Sequence, residues 1–167
     1  EKIKALGVET ILYSNDSGIA EQHAQKLARE QGKIYISPYN DPQIIAGQGT
    51  LAIELLDQLP RLDVVYVSIG GGGLISGIGS VMKAFSPQTR VVGVSAKNSA
   101  ELAASIRAGK MVQVDHHETL ADGCAGGVDR DTITFGLGKE VIDDLIDCSE
   151  QQIELGLQQI AWTEKML

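Results

Sequence analysis

The sequence is poor in several of the features that would decide its class at once. Cys124 and Cys148 are its only cysteines and neither sits in a C-x-x-C pair. No disulfide framework is available, and a reducing cytoplasm is the expected setting. Aromatic residues make up 4% of the chain against 19 glycines, a balance that suits an α/β protein with many short turns better than an all-β sandwich. Basic side chains are outnumbered, 14 against 22 acidic ones, for a net charge of -8. That field repels a phosphate backbone, so nucleic acid is excluded as a partner. The acid is spread along the chain rather than gathered in a tail, and it reads as a solvated surface.

No signal peptide opens the sequence, because Glu1-Lys2-Ile3-Lys4 leads into a mixed, charged segment. Val64 to Met82 carries no charge and raises the question of a membrane span. Glycines at 70–73, 77 and 79 break that run, and consecutive glycines do not hold a helix at a bilayer centre. The run reads instead as a buried strand, a loop and a buried helix, with no membrane span.

What remains is an ordinary globular balance: 167 residues, 43% apolar and 22% charged, enough for one domain or one and a half. Strand-like and helical segments alternate. Glu9–Tyr13 and Lys33–Ser37 read as short strands, with a helix over Ser17–Gln31 between them, Ser17 as its N-cap and Gly32 as its stop. Ile44–Leu59 is helical and ends at Pro60. Asp63–Ile69 is the strongest strand, a β-branched run that predicts burial on both faces. Leu74–Phe85 and Ala100–Ala108 are helices flanking a buried strand at Arg90–Ser95. Thr132–Leu145 and Ser149–Met166 close the chain as helices, leaving room for a brief strand at Asp147-Cys148.

Repeated β-α units predict a parallel sheet with helices on both faces. The prolines and polar residues of Ser37–Gln43 mark a boundary between part of a small subdomain, 1–43, and part of a large one, 44–167. Both ends read as cut, since the chain begins inside a helical pattern and stops at Leu167 without a cap.

Gly70-Gly71-Gly72-Gly73 follows the best strand and opens a helix. Four residues without Cβ let successive amides converge on one anion at the positive end of the helix, so a phosphate or carboxylate fits there. A tight turn needing one or two glycines is the plainer alternative. The dinucleotide pattern G-x-G-x-x-G fails because Ile75 and Ser76 stand where its third glycine falls, and G-x-x-x-x-G-K-[ST] fails because Gly77 is followed by Ile78 and Gly79. Asp115-His116-His117-Glu118 suggests zinc, yet adjacent histidines point apart and no spaced third ligand follows, so a solvated loop is expected. His23, preceded by Glu21 and Gln22, reads as a surface residue.

Three strings together resemble one family. Asp41-Pro42-Gln43-Ile44-Ile45-Ala46-Gly47-Gln48-Gly49-Thr50, Ser68-Ile69-Gly70-Gly71-Gly72-Gly73-Leu74 and Glu118-Thr119-Leu120-Ala121-Asp122-Gly123 are similar, in order and spacing, to segments of the serine/threonine dehydratases and serine racemases. These are fold-type II enzymes that use pyridoxal 5'-phosphate (PLP). The likeness runs over essentially the whole chain, which corresponds to the middle part of such an enzyme.

The resemblance implies a set of roles. Gly70, Gly71, Gly72 and Gly73, with the amide of Leu74, cradle the PLP phosphate; Gly123 lies against the cofactor ring and Asp122 shapes that turn. It also implies a Mg2+ or Ca2+ site whose positions here are Ser95, Ser99 and Glu101. Ser95 replaces a carboxylate, so no tight metal site is expected. The family's Schiff-base lysine stands in an S-x-K-x-R-G-type context that none of the chain's lysines, from Lys2 to Lys165, shares. No catalytic residue is therefore assigned, and the stretch alone is expected to be inactive.

The implied activity is a PLP-dependent ammonia-lyase acting on threonine, serine or a related hydroxy amino acid. Racemase-like activity is the near alternative. The string Thr119 to Gly127 also resembles dehydratase-like proteins of hydroxyectoine breakdown. A different class is a non-catalytic truncated paralogue that binds a phosphate-bearing ligand or a partner chain, and a small-ligand regulatory module is a weaker one. A chain cut at both ends would expose apolar faces, which predicts marginal stability, or a homo-oligomer or association with another chain.

Overall fold

The computed structural model describes residues 2–14 and 17–165, and the chain divides into two compact units, Glu1–Ile36 and Ser37–Leu167. The first holds a short helix α1 (Lys2–Ala5) and a longer one, α2 (Ser17–Glu30). Gly32 stops α2 as expected. At φ 63 it turns the chain so that its own amide reaches the Arg29 carbonyl and the Lys33 amide reaches the Ala28 carbonyl at 2.8 Å, a left-handed C-terminal closure. His23 is half-buried and stacks on Tyr13, with centroids 3.7 Å apart, rather than standing free on the surface.

The strands expected at Glu9–Tyr13 and Lys33–Ser37 do not form. Both segments are irregular, and Leu12 and Ile34 are 97% and 91% exposed. β-propensity reflects packing on a pleated surface more than a backbone preference, and a strand needs a ladder partner to take its amides. The described residues form one sheet, and neither segment belongs to it.

The second unit is a parallel three-stranded sheet in the order β1 (Val64–Ser68), β2 (Arg90–Ala96), β3 (Asp144–Cys148), with helices packed on it. The register sets Val65 beside Val91 and Val94 beside Ile146. β2 is central and buried. β1, expected to be covered on both faces, lies at an edge among the described residues, and its Tyr66 is 64% exposed. Helix α6 (Ile133–Val141) stops well short of Leu145, because Asp144–Cys148 are claimed by the ladder to β2. Pairing of a segment with a buried strand overrides a helical pattern of apolar residues.

Helix α3 (Pro42–Gln58) begins earlier than the sequence pattern suggests, because Asp41-Pro42 is a complete start signal. The Asp41 carboxylate accepts from the amides of Gln43, at 2.8 Å, and Ile44, and Pro42 occupies the first turn, where no amide is needed. Such a cap contributes about 1 kcal/mol. Helix α4 (Gly73–Phe85) buries Ile75, Ile78 and Met82 in a core shared with Val67, Val91 and Leu102. It touches α3 through two glycines: a Cβ on Gly77 would collide with the Ile45 carbonyl and lie 2.7 Å from the Gly49 amide nitrogen. The Gly49 of the first resembling string is thus a helix-packing residue. Helix α5 (Glu101–Ala108) ends at Gly109, and α7 (Glu150–Thr163) opens on a reciprocal cap between Ser149 and Gln152. Among the described residues no helix is long and apolar enough to cross a membrane.

Candidate functional site

The ladder of β1 runs on through the Ile69 amide, which donates to the Val94 carbonyl at 2.8 Å. The glycine loop begins at the next residue, at the carboxyl end of the sheet, where parallel α/β sheets place their ligands. Each of its glycines is required by a close neighbour, Tyr39 serving for two of them. A Cβ on Gly70 would come within 3.0 Å of the Cys124 carbonyl oxygen, and one on Gly71 would enter the Tyr39 ring. One on Gly72 would overlap Leu102, at a φ of 88 that side chains avoid, and one on Gly73 would meet the Tyr39 backbone at 2.9 Å. The loop is therefore pressed into the protein on its Cβ side.

Its carbonyl edge is fixed too. Thr134 Oγ1 donates to the Gly71 carbonyl at 2.8 Å, and the planar peptide then turns the Gly72 amide away from Thr134. The Gly72 carbonyl accepts from the Ser76 amide as α4 starts. No hydrogen bond among the described residues uses the amides of Gly70, Gly71, Gly72, Gly73 or Leu74. Gly70, Gly71 and Leu74 are half-buried, not sealed. Consecutive free amides at the start of a helix of 13 residues, on a loop held from the opposite side, form an anion cradle that fits a phosphate.

The second expected element arrives by way of Cys124. Asp122–Cys124 is a single tight turn, closed by the Ala125 amide on the Asp122 carbonyl at 3.0 Å. Its Cys124 backbone is the surface that meets Gly70. Asp122 and Gly123 stand exposed at the tip, and nothing lies within 4 Å of a Cβ built on Gly123. The structure thus joins the glycine loop to the Asp122-Gly123 turn, far apart in sequence. The residues that make the junction, Tyr39, Leu102, Thr134 and Cys124, were not singled out by the sequence. Only Tyr39 carries a signal in retrospect, since it immediately precedes the Asn40-Asp41-Pro42 helix start. Its hydroxyl accepts from the Asp129 amide at 2.9 Å, and Asn40 Oδ1 accepts from the Ile133 amide at 3.0 Å, so this segment also fastens the start of α6.

The positions implied for a divalent cation lie at and just after the carboxyl end of β2, and two of them, Ser99 and Glu101, are already engaged. Glu101, 8% exposed, accepts from the Val128 amide at 3.2 Å on Oε1 and pairs through Oε2 with His116 Nε2 at 2.9 Å. Ser99, 3% exposed, accepts from the Gly126 amide at 3.0 Å and shares a hydrogen bond with His116 Nδ1 at 2.8 Å. Ser95 Oγ is buried without a protein partner, a single neutral oxygen. The implied donor set is two carboxylates and the backbone carbonyl at the Ser99 position. Here one carboxylate has both oxygens used and the other is replaced by the neutral Ser95 hydroxyl, which does not fit the six or more oxygens that a hard cation needs. No group of three or more His, Cys, Asp or Glu able to hold a metal occurs among the described residues. The Asp115–Glu118 segment, expected to be a free solvated loop, is at the surface, but the His116 side chain is only 28% exposed and is bonded on both nitrogens. A separate open groove lies far from this chemistry, between the ends of α3 and α4, lined by Leu56, Leu59, Pro60, Val81 and Phe85.

Comparison with known proteins bears on the same residues. The family described as pyridoxal-phosphate dependent enzyme matches residues 1–167. An L-threonine ammonia-lyase of Thermotoga maritima is 38% identical over 152 residues, 91% of this chain and 38% of that protein. The processed form of threonine deaminase isoform 2 from Solanum lycopersicum is structurally similar with a TM-score of 0.89 at 31% identity, over 99% of this chain and 45% of that one. Maize serine racemase is similar with a TM-score of 0.86 at 30% identity, over 98% of this chain and 51% of that one. The chain spans about half the length, or less, of these relatives.

Proposed function

Because the chain belongs to the pyridoxal-phosphate dependent enzyme family, we propose that it is the phosphate-holding part of an ammonia-lyase that converts threonine, serine or a related hydroxy amino acid to a 2-oxo acid and ammonia. The observation that carries this reading is the row of free amides from Gly70 to Leu74, backed by Thr134 and Tyr39 and met at Gly70 by the turn that carries Asp122 and Gly123. In this reading Gly70 to Gly73 and the Leu74 amide bind the phosphate of PLP. Asp122 and Gly123 border the ring. When bound, PLP withdraws the electrons released as the amino acid loses its Cα proton. The chain's own residues orient the cofactor and fix its phosphate. The lysine that the chemistry requires is not supplied by any lysine in the family's sequence context, so this stretch by itself is inactive.

Racemase-like activity stands beside this reading, favoured by the similarity to maize serine racemase. The two differ in the step after proton loss: departure of the β-hydroxyl against return of the proton to the other face. Two free, half-buried cysteines suit a cytoplasmic setting, and the exposed Leu12 and Ile34 suit a homo-oligomer or association with another chain.

The reading is tested by mixing the chain with PLP, reducing with borohydride and mapping adducts by peptide mass spectrometry. PLP retained before reduction, competed by inorganic phosphate and forming no lysine adduct, is the expected result. A stoichiometric adduct on one lysine would show that the chain supplies its own covalent anchor. Failure to retain PLP would leave the non-catalytic paralogue as the better account.

A further inference from the structure

The cluster around His116 does more than fill a degenerate metal position. Ser99 and Glu101 sit at the start of α5, and both limbs of the loop between α5 and α6 converge on them. The outgoing limb brings the His116 ring; the returning limb brings the amides of Gly126 and Val128. Between the two limbs lies the Asp122–Cys124 turn, with the Cys124 backbone against Gly70. Other bonds steady the outgoing limb alone: the His117 amide on the Asn98 carbonyl at 2.9 Å, Asn98 Nδ2 on the Glu118 carbonyl at 2.7 Å, and the Leu120 amide on Glu150 at 2.7 Å.

One arrangement of protons satisfies the whole cluster without a further ligand. His116 Nε2–H donates to Glu101 and the Ser99 hydroxyl donates to Nδ1. The Gly126 and Val128 amides then donate to Ser99 Oγ and Glu101 Oε1, so that every polar atom of the cluster has a partner. A network with every member bonded rigidifies its surroundings, whereas a partly satisfied one does not.

We propose that His116 is a positioning residue whose imidazole takes the place of a bound divalent cation: it ties the outgoing limb to Ser99 and Glu101 and orients those two side chains to take the returning-limb amides, so holding the Cys124 backbone against the glycine loop. The cross-link forms from the chain's own groups and does not depend on PLP being bound. The loop is therefore set in place without metal.

The test uses the 167-residue chain and reads stability and amide exchange, not activity. For the unaltered chain, Mg2+, Ca2+, Mn2+ and EDTA are each expected to leave the melting temperature unmoved. In His116→Gly, exchange at the Gly126 and Val128 amides should rise roughly tenfold to a hundredfold, because Ser99 and Glu101 lose the imidazole that orients them under those amides. Exchange at Val92 in β2 should stay unchanged. Added imidazole should restore most of the protection, and the cations should not. Ser99→Ala should loosen the same amides without any response to imidazole. A saturable stabilisation of the unaltered chain by millimolar cation would overturn the proposal. So would restoration of His116→Gly by a cation, or unchanged exchange at Gly126 and Val128. Should His116→Gly fail to fold, the cation titration of the unaltered chain and Ser99→Ala still decide it.

Discussion

Helix α2, in Glu1–Ile36, has a sound C-terminal stop and 14 residues, yet buries none of them. Helix α4, in Ser37–Leu167, has 13 residues and buries Ile75, Ile78 and Met82 almost completely. The same division separates the strands. Glu9–Tyr13 and Lys33–Ser37 are as apolar and β-branched as many real strands, and they stay irregular; Val64–Ser68 and Arg90–Ala96 pair. Local signals of comparable strength therefore have opposite outcomes. The difference is whether the segment pairs into a sheet whose apolar side is covered. In the second unit the sheet, α3 and α4 provide that pairing and cover within a single stretch of chain.

Hydrogen exchange would show the largest contrast. Amides of α2 are expected to exchange on the order of a thousandfold faster than those of Val92 and Val94 in the central strand, because opening α2 uncovers no buried side chain. Equal protection in both units would break the comparison.

The glycines sharpen it at the level of single atoms. Gly77→Ala places a methyl group against the Ile45 carbonyl and 2.7 Å from the Gly49 nitrogen, backbone atoms that cannot step aside. A loss of about 3 kcal/mol is expected in chemical denaturation. Gly47→Ala, on the same helix as Gly49, meets nothing within 4 Å and should stabilise by roughly 0.5–1 kcal/mol through helix propensity alone. If the two substitutions had similar effects, the close approach of α3 and α4 would not be the reason for Gly77.

These cases mark what could be read from the sequence. The glycine loop, the Gly32 stop and the strand–helix–strand run from β1 to α5 were legible because each depends on residues close in the chain. The sequence pattern reads Asp41-Pro42 as loop and places the helix start at Ile44; α3 in fact starts at Pro42, capped by Asp41. The reasons for the individual loop glycines were not legible, since Tyr39, Leu102, Cys124 and Thr134 approach them from four separate parts of the chain. His116 was hidden for the same reason: an exposed Asp-His-His-Glu string looks solvated until Ser99 and Glu101 are brought beneath it. The end of α6 and the length of β3 were misjudged because the pairing that decides them involves β2, more than forty positions earlier.

The smallest effect concerns the link between α4 and the loop leading into β3. Asp143 receives the Val91 amide on Oδ2 at 2.7 Å and Lys83 on Oδ1 at 2.6 Å. Partial burial pushes its carboxyl up. The hydrogen bonds from Lys83 and the Val91 amide, with the charges of Lys83 and Arg90, outweigh that and hold it below its ordinary value. A carboxyl lowered in the folded state adds stability above its unfolded-state pKa and loses it as pH falls through the folded value. The unaltered chain should therefore shed this contribution below about pH 4. Asp143→Asn should be less stable at neutral pH, by about 1 kcal/mol because the pair is a third exposed and screened, and should show a shallower acid limb. Parallel acid limbs in urea titrations from pH 7 down to 3 would mean that the Asp143 bridge does not couple α4 to the sheet edge.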